Sequence, residues 1–217
     1  MATRTRVKLC GITSTRDALE GVRVGVDALG FIFVEKSPRC ISPDKAREII
    51  SLLPPFVDCV GVFVDRNLKE VEEIVEYCGL SYAQLHGSEE PKFCERLARF
   101  SAPCQVVKAF RVGPHSTADD FTPYNDVAKG FLLDTYSSGI AGGTGKTFDW
   151  QLVKKLGLQR PLILAGGLDE SNVAEAIETL HPFGVDINSG VESGPGKKDH
   201  GKLNRLMEKV RSADGCN

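Results

Sequence analysis

The 217-residue chain has little that would mark a membrane, secreted or nucleic-acid-binding protein. No apolar run approaches the roughly 20 residues a membrane span needs. The opening MATRTRVKLCG has no apolar core of a leader and runs straight into a strand pattern. Twenty-seven Lys and Arg against 29 Asp and Glu give a formal charge of −2. The signs are interspersed, so no basic stripe offers itself to nucleic acid. Cysteines 10, 40, 59, 78, 94, 104 and 216 are odd in number and contain no C-x-x-C pair, which argues against a disulfide framework and a zinc site. Apart from Cys10, they read as small, mostly buried residues in a reducing cytoplasm. No Pro- or Gly-rich linker divides the chain, so one domain over residues 1–217 is expected, with no oligomeric state implied.

What is present is an alternation of short β-branched runs with amphipathic stretches. Strands are expected over residues 7–11, 28–34, 57–64, 81–86, 105–111, 129–134, 161–165 and 184–188. Helices are expected over 14–24, 43–53, 68–78, 89–99, 150–156, 169–180 and 199–211, with a weaker pattern over 117–127 that, after Gly113-Pro114, reads partly as loop. Thr13 or Ser14 can cap the first helix, and Ser42-Pro43 puts a cap before an N1 proline. Ser88, followed by two acids and Pro91, is a third start signal. Eight βα units of this kind fit a closed α/β (β/α)8 TIM barrel better than an open sheet of five or six strands.

Strand side chains alternate between faces, so polar parity can be read directly. Cys10 and Lys8 oppose Val7 and Leu9; Asp134 opposes Leu133; Asp186 and Asn188 oppose Ile187; Gln84 and His86 share a face. The outer face of a barrel strand packs on helices, so the polar parity points inward. Cys10, His86, Asp134, Asp186 and Asn188 then meet at the carboxyl-end rim. Each position also has a plain structural reading: a buried small cysteine, an aspartate that caps a loop, a histidine that bridges loop backbone. Lys8 and Lys108 read as ion-pair residues without a role in chemistry.

The turns Ala165-Gly166-Gly167 and Asn188-Ser189-Gly190 follow the seventh and eighth strands. Barrels often hold phosphate there, because glycine lets backbone N–H groups approach an anion; two ordinary tight turns are the bland alternative. Residues 142–147, GGTGKT, mimic a P-loop, but Ile140 stands where that motif needs glycine. A loop able to close over ligand fits better. Arg39, after the second strand, suits bidentate recognition of a carboxylate, although surface arginines are common.

Together KLCGIT (8–13), GFIFVEKSPRCIS (30–42), QLHG (84–87), LLDT (132–135), GGTGKTFDW (142–150), LAGGL (164–168) and DINSGVESGPGKKD (186–199) make the chain resemble the phosphoribosylanthranilate isomerase family of tryptophan biosynthesis. The resemblance implies a (β/α)8 barrel that performs an Amadori rearrangement on a small phosphorylated substrate without metal or cofactor. It puts the general base on Cys10, the general acid on Asp134, the carboxylate-binding arginine on Arg39 and the fourth-strand histidine on His86. The phosphate site falls on Gly166, Gly167 and the turn Asn188, Ser189, Gly190. The family usually carries two serines where this chain has Asn188 and Ser189, which leaves phosphate to the backbone at position 188. The chemistry requires Asp134 to begin protonated and Cys10 to act as thiolate, and the sequence names no dedicated partner for the cysteine. Other readings are a related phosphosugar isomerase or epimerase barrel, and a non-catalytic phosphate-ligand binder. A metal-dependent epimerase would need His and Asp ligands on several strands, and the four histidines are scattered.

Overall fold

The computed structural model describes residues 4–134 and 150–215. The predicted loop over 142–147 and Cys216 therefore lie outside the described residues. Eight parallel strands close into a barrel in sequence order: β1 (Arg6–Leu9), β2 (Ala28–Ile32), β3 (Asp58–Phe63), β4 (Tyr82–Leu85), β5 (Gln105–Arg111), β6 (Gly130–Asp134), β7 (Leu162–Ala165) and β8 (Gly184–Ile187). The seam is β1 on β8, with Val7 opposite Val185 and Lys8 opposite Asp186. Cys10 extends it, its N–H donating to Ile187 O at 2.8 Å.

The helices are α1 (Thr15–Val24), α2 (Pro43–Ile50), α3 (Leu68–Cys78), α4 (Pro91–Phe100), α5 (Trp150–Lys155), α6 (Val173–Leu180) and α7 (His200–Ala213). Their starts follow local chemistry: Ser14, Ser42, Asn67 and Asp199 each accept a hydrogen bond from a backbone N–H in the first turn. Helix α2 stops at Ile50, before the predicted 53, because Pro54-Pro55 disfavours helical backbone in the residue ahead of it. Helix α4 starts at Pro91 instead of Glu89, whose carboxylate is drawn into a buried network below. In α6 the first four predicted residues form a turn in which Asp169 Oδ1 accepts from Ser171 N–H at 2.8 Å.

The pattern over 117–127 is not a helix. It makes two 3-10 turns, Ala118–Asp120 and Thr122–Tyr124. Aromatic packing decides this segment: Phe121 and Tyr124 close on Phe110 at 4.6 and 5.2 Å between ring centroids, with Phe131 beside them.

Alternation builds two cores. Val7, Leu9, Leu29, Phe31, Phe63 and Leu85 pack outward against the helices, each burial worth about 1.5–3 kcal/mol. Inside the barrel, Val107, Ala109, Leu132 and Ala165 fill one side while Cys10, Ile32 and Val62 form a separate cluster.

The β4–α4 corner is pinned by a buried ion pair. Lys108 Nζ lies 3.2 Å from Glu89 Oε2, with side chains 3% and 2% exposed. Lys108 also donates to the carbonyls of Leu85 and Gly87, and Glu89 accepts from the N–H groups of Asp65 and Gly87. Removing one partner strands a buried charge, which typically costs 3–5 kcal/mol. Lys108→Met is thus expected to lose about 3–5 kcal/mol in urea unfolding; a loss below about 1 kcal/mol would show the pair to be dispensable.

Candidate active site

The carboxyl ends of the strands bring the predicted residues to one mouth. Cys10 ends β1 and is buried; Asp134 ends β6 and His86 follows β4, both partly open to the mouth. His86 Nε2 stands 3.5 Å from Asp134 Oδ2, across the barrel from Cys10's cluster. Gln84, on the same parity as His86 and buried in the interior, meets His86 Nδ1 at 3.1 Å. Asp186 lies one layer below the mouth, buried and paired with Lys8, Nζ to Oδ1 2.9 Å. Lys8 is therefore an interior ion-pair residue, whereas Lys108 belongs to the corner outside the inner face.

The two glycine turns touch each other. Gly166 and Gly167 adopt φ of 94° and 64°, and the turn Ser189–Val191 packs against Leu168 and Asp169, the residues that follow them. A Cβ on Gly190 would sit 2.0 Å from Leu168 O, so no larger residue can hold this approach.

Arg39 reaches the mouth from the loop after β2, but its fork is already on a carboxylate of the chain. Its Nε and Nη2 donate to Glu192 at 2.9 and 2.6 Å. Glu192 opens a short hairpin, β9 (Glu192–Gly194) and β10 (Lys197–Lys198), which folds back over the loop after β1. Thr13 Oγ1 donates to Gly196 O at 2.6 Å to fasten it there. Lys198 donates to Glu192 Oε1 at 2.9 Å and to Asn188 Oδ1 at 3.0 Å. One carboxylate thus lies between two cations, which leaves a net positive charge beside Cys10. The half-buried Asn188 side chain is occupied by Lys198 and turned toward Gly11.

Sequence reasoning named neither Glu192 nor Lys198, and read Lys8 only as an ion-pair residue and Gln84 only as sharing the face of His86. Glu192 and Arg39 are 153 residues apart, and no spacing rule links them. Parity did carry a signal for Lys8, since it shares the face of Cys10.

Three of these groups are shifted from their ordinary values. Burial pushes the Glu192 carboxyl up, but hydrogen bonds from Arg39 and Lys198 outweigh it and hold the group below the usual range. Burial pushes Lys198 below the ordinary lysine value despite Glu192. Burial also raises the Cys10 thiol, opposed chiefly by the charge of Lys8. Cys59, Cys78, Cys94 and Cys104 are likewise raised by burial, Cys59 to about 12 and the others to about 11.

A closed (β/α)8 barrel with a thiol, a carboxyl–imidazole pair and glycine turns at its carboxyl mouth defines an enzyme of the phosphosugar barrel class. Comparison with known proteins narrows this. The sequence model of the N-(5'-phosphoribosyl)anthranilate (PRA) isomerase family matches residues 7–209. The isomerase of Geobacter sulfurreducens is 47% identical over 210 residues, covering 97% of this chain and 98% of that one. The phosphoribosyl anthranilate isomerase of Thermotoga maritima superposes with a TM-score of 0.83 at 41% identity, covering 96% and 99%. A further isomerase structure, in complex with reduced 1-(o-carboxyphenylamino)-1-deoxyribulose 5-phosphate, gives 0.80 at 39% identity and covers 96% and 99%. The chain belongs to the N-(5'-phosphoribosyl)anthranilate isomerase family and is an isomerase of tryptophan biosynthesis.

The depressed carboxyl of Glu192 has a consequence for acid stability. Its folded value lies below the unfolded one of about 4.3. Its stabilisation is complete above about pH 4.3 and is lost as pH falls through the folded value. Wild type is expected to exceed Glu192→Gln in unfolding free energy at neutral pH, with the gap closing below about pH 4.3. Denaturant unfolding across that range checks it; a gap of constant size would rule out a depressed carboxyl.

Proposed function

We propose that the barrel mouth performs the Amadori rearrangement of N-(5'-phosphoribosyl)anthranilate with Cys10 as general base and Asp134 as general acid. The observation that carries this reading is the convergence of a thiol and a carboxyl on one mouth, between paired glycine turns on one side and an anchored arginine on the other. In the first step Asp134 gives its proton to the ring oxygen. The C1′–O4′ bond breaks as the anilino nitrogen lone pair forms a protonated Schiff base. Cys10 thiolate then takes the C2′ proton, and the C–H electrons form the C1′=C2′ bond of a neutral enolamine. Loss of the C2′ hydroxyl proton and protonation at C1′ give the ketone, 1-(2-carboxyphenylamino)-1-deoxyribulose 5-phosphate. No step calls for metal or cofactor. His86, 3.5 Å from Asp134, is suited to orient the acid or share its proton.

The turns Gly166-Gly167 and Asn188-Ser189-Gly190 are proposed to hold the phosphate through backbone N–H groups. A relative solved with a phosphorylated product analogue supports a ligand of this class. Arg39 is proposed to meet the anthranilate carboxylate with its Nη1 side, while Glu192 fixes the Nε–Nη2 edge. Asp186 would act at one remove, through its pair with Lys8. We further read residues 1–217 as one catalytic domain in the cytoplasm, a compartment that suits the chain's free cysteines, with neither nucleic acid nor membrane as partner. Among the described residues no helix is long and apolar enough to cross a membrane.

Cys10→Ala and Asp134→Asn are each expected to lower kcat by at least ~10² with KM little changed, followed by loss of anthranilate fluorescence. Unchanged turnover in either variant would remove that residue from its role. Arg39→Lys keeps the charge and loses the fork, so KM should rise by roughly tenfold or more with a smaller change in kcat. An unaltered KM would place the substrate carboxylate elsewhere.

A further inference from the structure

We propose that Lys8 is the positioning residue that makes Cys10 available as a base, a cation fixed by Asp186 across the β1–β8 seam and held against the sulfur to stabilise its thiolate. The inference rests on the reading of Cys10 as the general base.

Strand geometry provides the arrangement. Lys8 on β1 and Cys10, which continues the ladder just past it, are two residues apart and face inward together. The seam sets Lys8 directly opposite Asp186, and the pair closes at 2.9 Å with both side chains less than a tenth exposed. A buried lysine has many rotamers to lose, and the carboxylate selects one of them. Gly30 of β2 shows where that rotamer ends. A Cβ at Gly30 would lie 2.8 Å from Cys10 Sγ and 3.1 Å from Lys8 Cε. Sulfur and lysine therefore crowd one spot that only glycine leaves open. The other neighbours in the cysteine's cluster, Ile32, Val62 and Val34, are apolar and offer the thiolate nothing.

Four charged groups act on the sulfur, and their ranking follows from their attachments. Lys8 pulls the thiol down by charge and hydrogen bonding, against burial and against a weaker push from Asp186. Lys198 adds a smaller pull, its ammonium being spent on Glu192 and on both oxygens of Asn188. Arg39 also senses the thiolate, but its fork is on Glu192. Lys8 itself stays an ammonium: burial would discharge it, and Asp186 and Cys10 together raise it above the ordinary value. In the ligand-free barrel burial still wins, so the sulfur rests as a thiol. Activation breaks the S–H bond with the proton leaving to water, and Lys8 sets how often this happens. The thiolate electron pair then takes the C2′ proton, which restores the thiol.

The test is the titration of Cys10 in the ligand-free enzyme, read as the ultraviolet thiolate absorbance of each protein minus that of its Cys10→Ser counterpart. Lys8→Met should move the titration up by at least about one pH unit, and Lys8→Arg should stay near wild type. Asp186→Asn should move it down, because it removes a negative charge and leaves the cation. Lys198→Met should shift it less than Lys8→Met does. In turnover, Lys8→Met should lose at least ~10-fold in kcat/KM at neutral pH, a loss that shrinks toward alkaline pH. Should Lys8→Met fail to fold around an unpaired Asp186, the double variant Lys8→Met with Asp186→Asn keeps the interior neutral and should still titrate above wild type. An unchanged titration in Lys8→Met, or in the double variant where that one does not fold, overturns the proposal. So does a shift of the same sign in Lys8→Met and Asp186→Asn, which would mark general damage. Neither result touches the assignment of Cys10 as base, which stands or falls on turnover of Cys10→Ala.

Discussion

Closure of the sheet between β1 and β8 is the constraint from which the rest of the site follows. A strand at the edge of an open sheet would leave Lys8 and Cys10 facing solvent or a helix. Closure instead sets Lys8 against Asp186, 178 residues away in sequence, inside a space lined mostly by apolar groups. In that setting a charge is tolerated only when paired, and a pair has one good geometry. The ion pair thus orders the inner layer beneath the mouth and sets the electrostatics of the residue directly above it.

A second buried carboxylate works the same way one layer higher. Glu192 gathers Arg39 from the loop after β2 and Lys198 from the hairpin after β8, and through Lys198 it reaches Asn188. The hairpin therefore acts as a strap across the β1 side of the mouth. Two cations share one carboxylate, so the local charge is positive, which suits a substrate that carries a phosphate and a carboxylate. Opposite lies the Gln84–His86–Asp134 chain, where a carboxyl and an imidazole close to 3.5 Å can hold or pass a proton. The thiol and the carboxyl are thereby kept on opposite sides of one opening, each with its own electrostatic setting.

Much of this was legible in the sequence because strand and helix periods are local properties. The parity of Cys10, Asp134, Asp186 and His86 points them inward, and Ser14 and Ser42 mark helix starts that the backbone uses. The failures were also physical. The segment 117–127 has a helical polar pattern, yet Phe121 and Tyr124 gain more by packing on Phe110 and Phe131 than a helix would give. Glu89 looks like a first-turn acid but is claimed by Lys108.

By itself the sequence determined the class of fold, the eight strands with their alternating helices at every place but the one after β5, and the identity of the residues that reach the mouth, since periodicity and turn chemistry act over a few positions. Only the tertiary structure decided which charges meet: Lys8 with Asp186, Arg39 and Lys198 with Glu192, His86 with Asp134. Those pairings depend on barrel closure and on the low-dielectric interior it creates, where a few ångströms separate a stabilised charge from an expensive one.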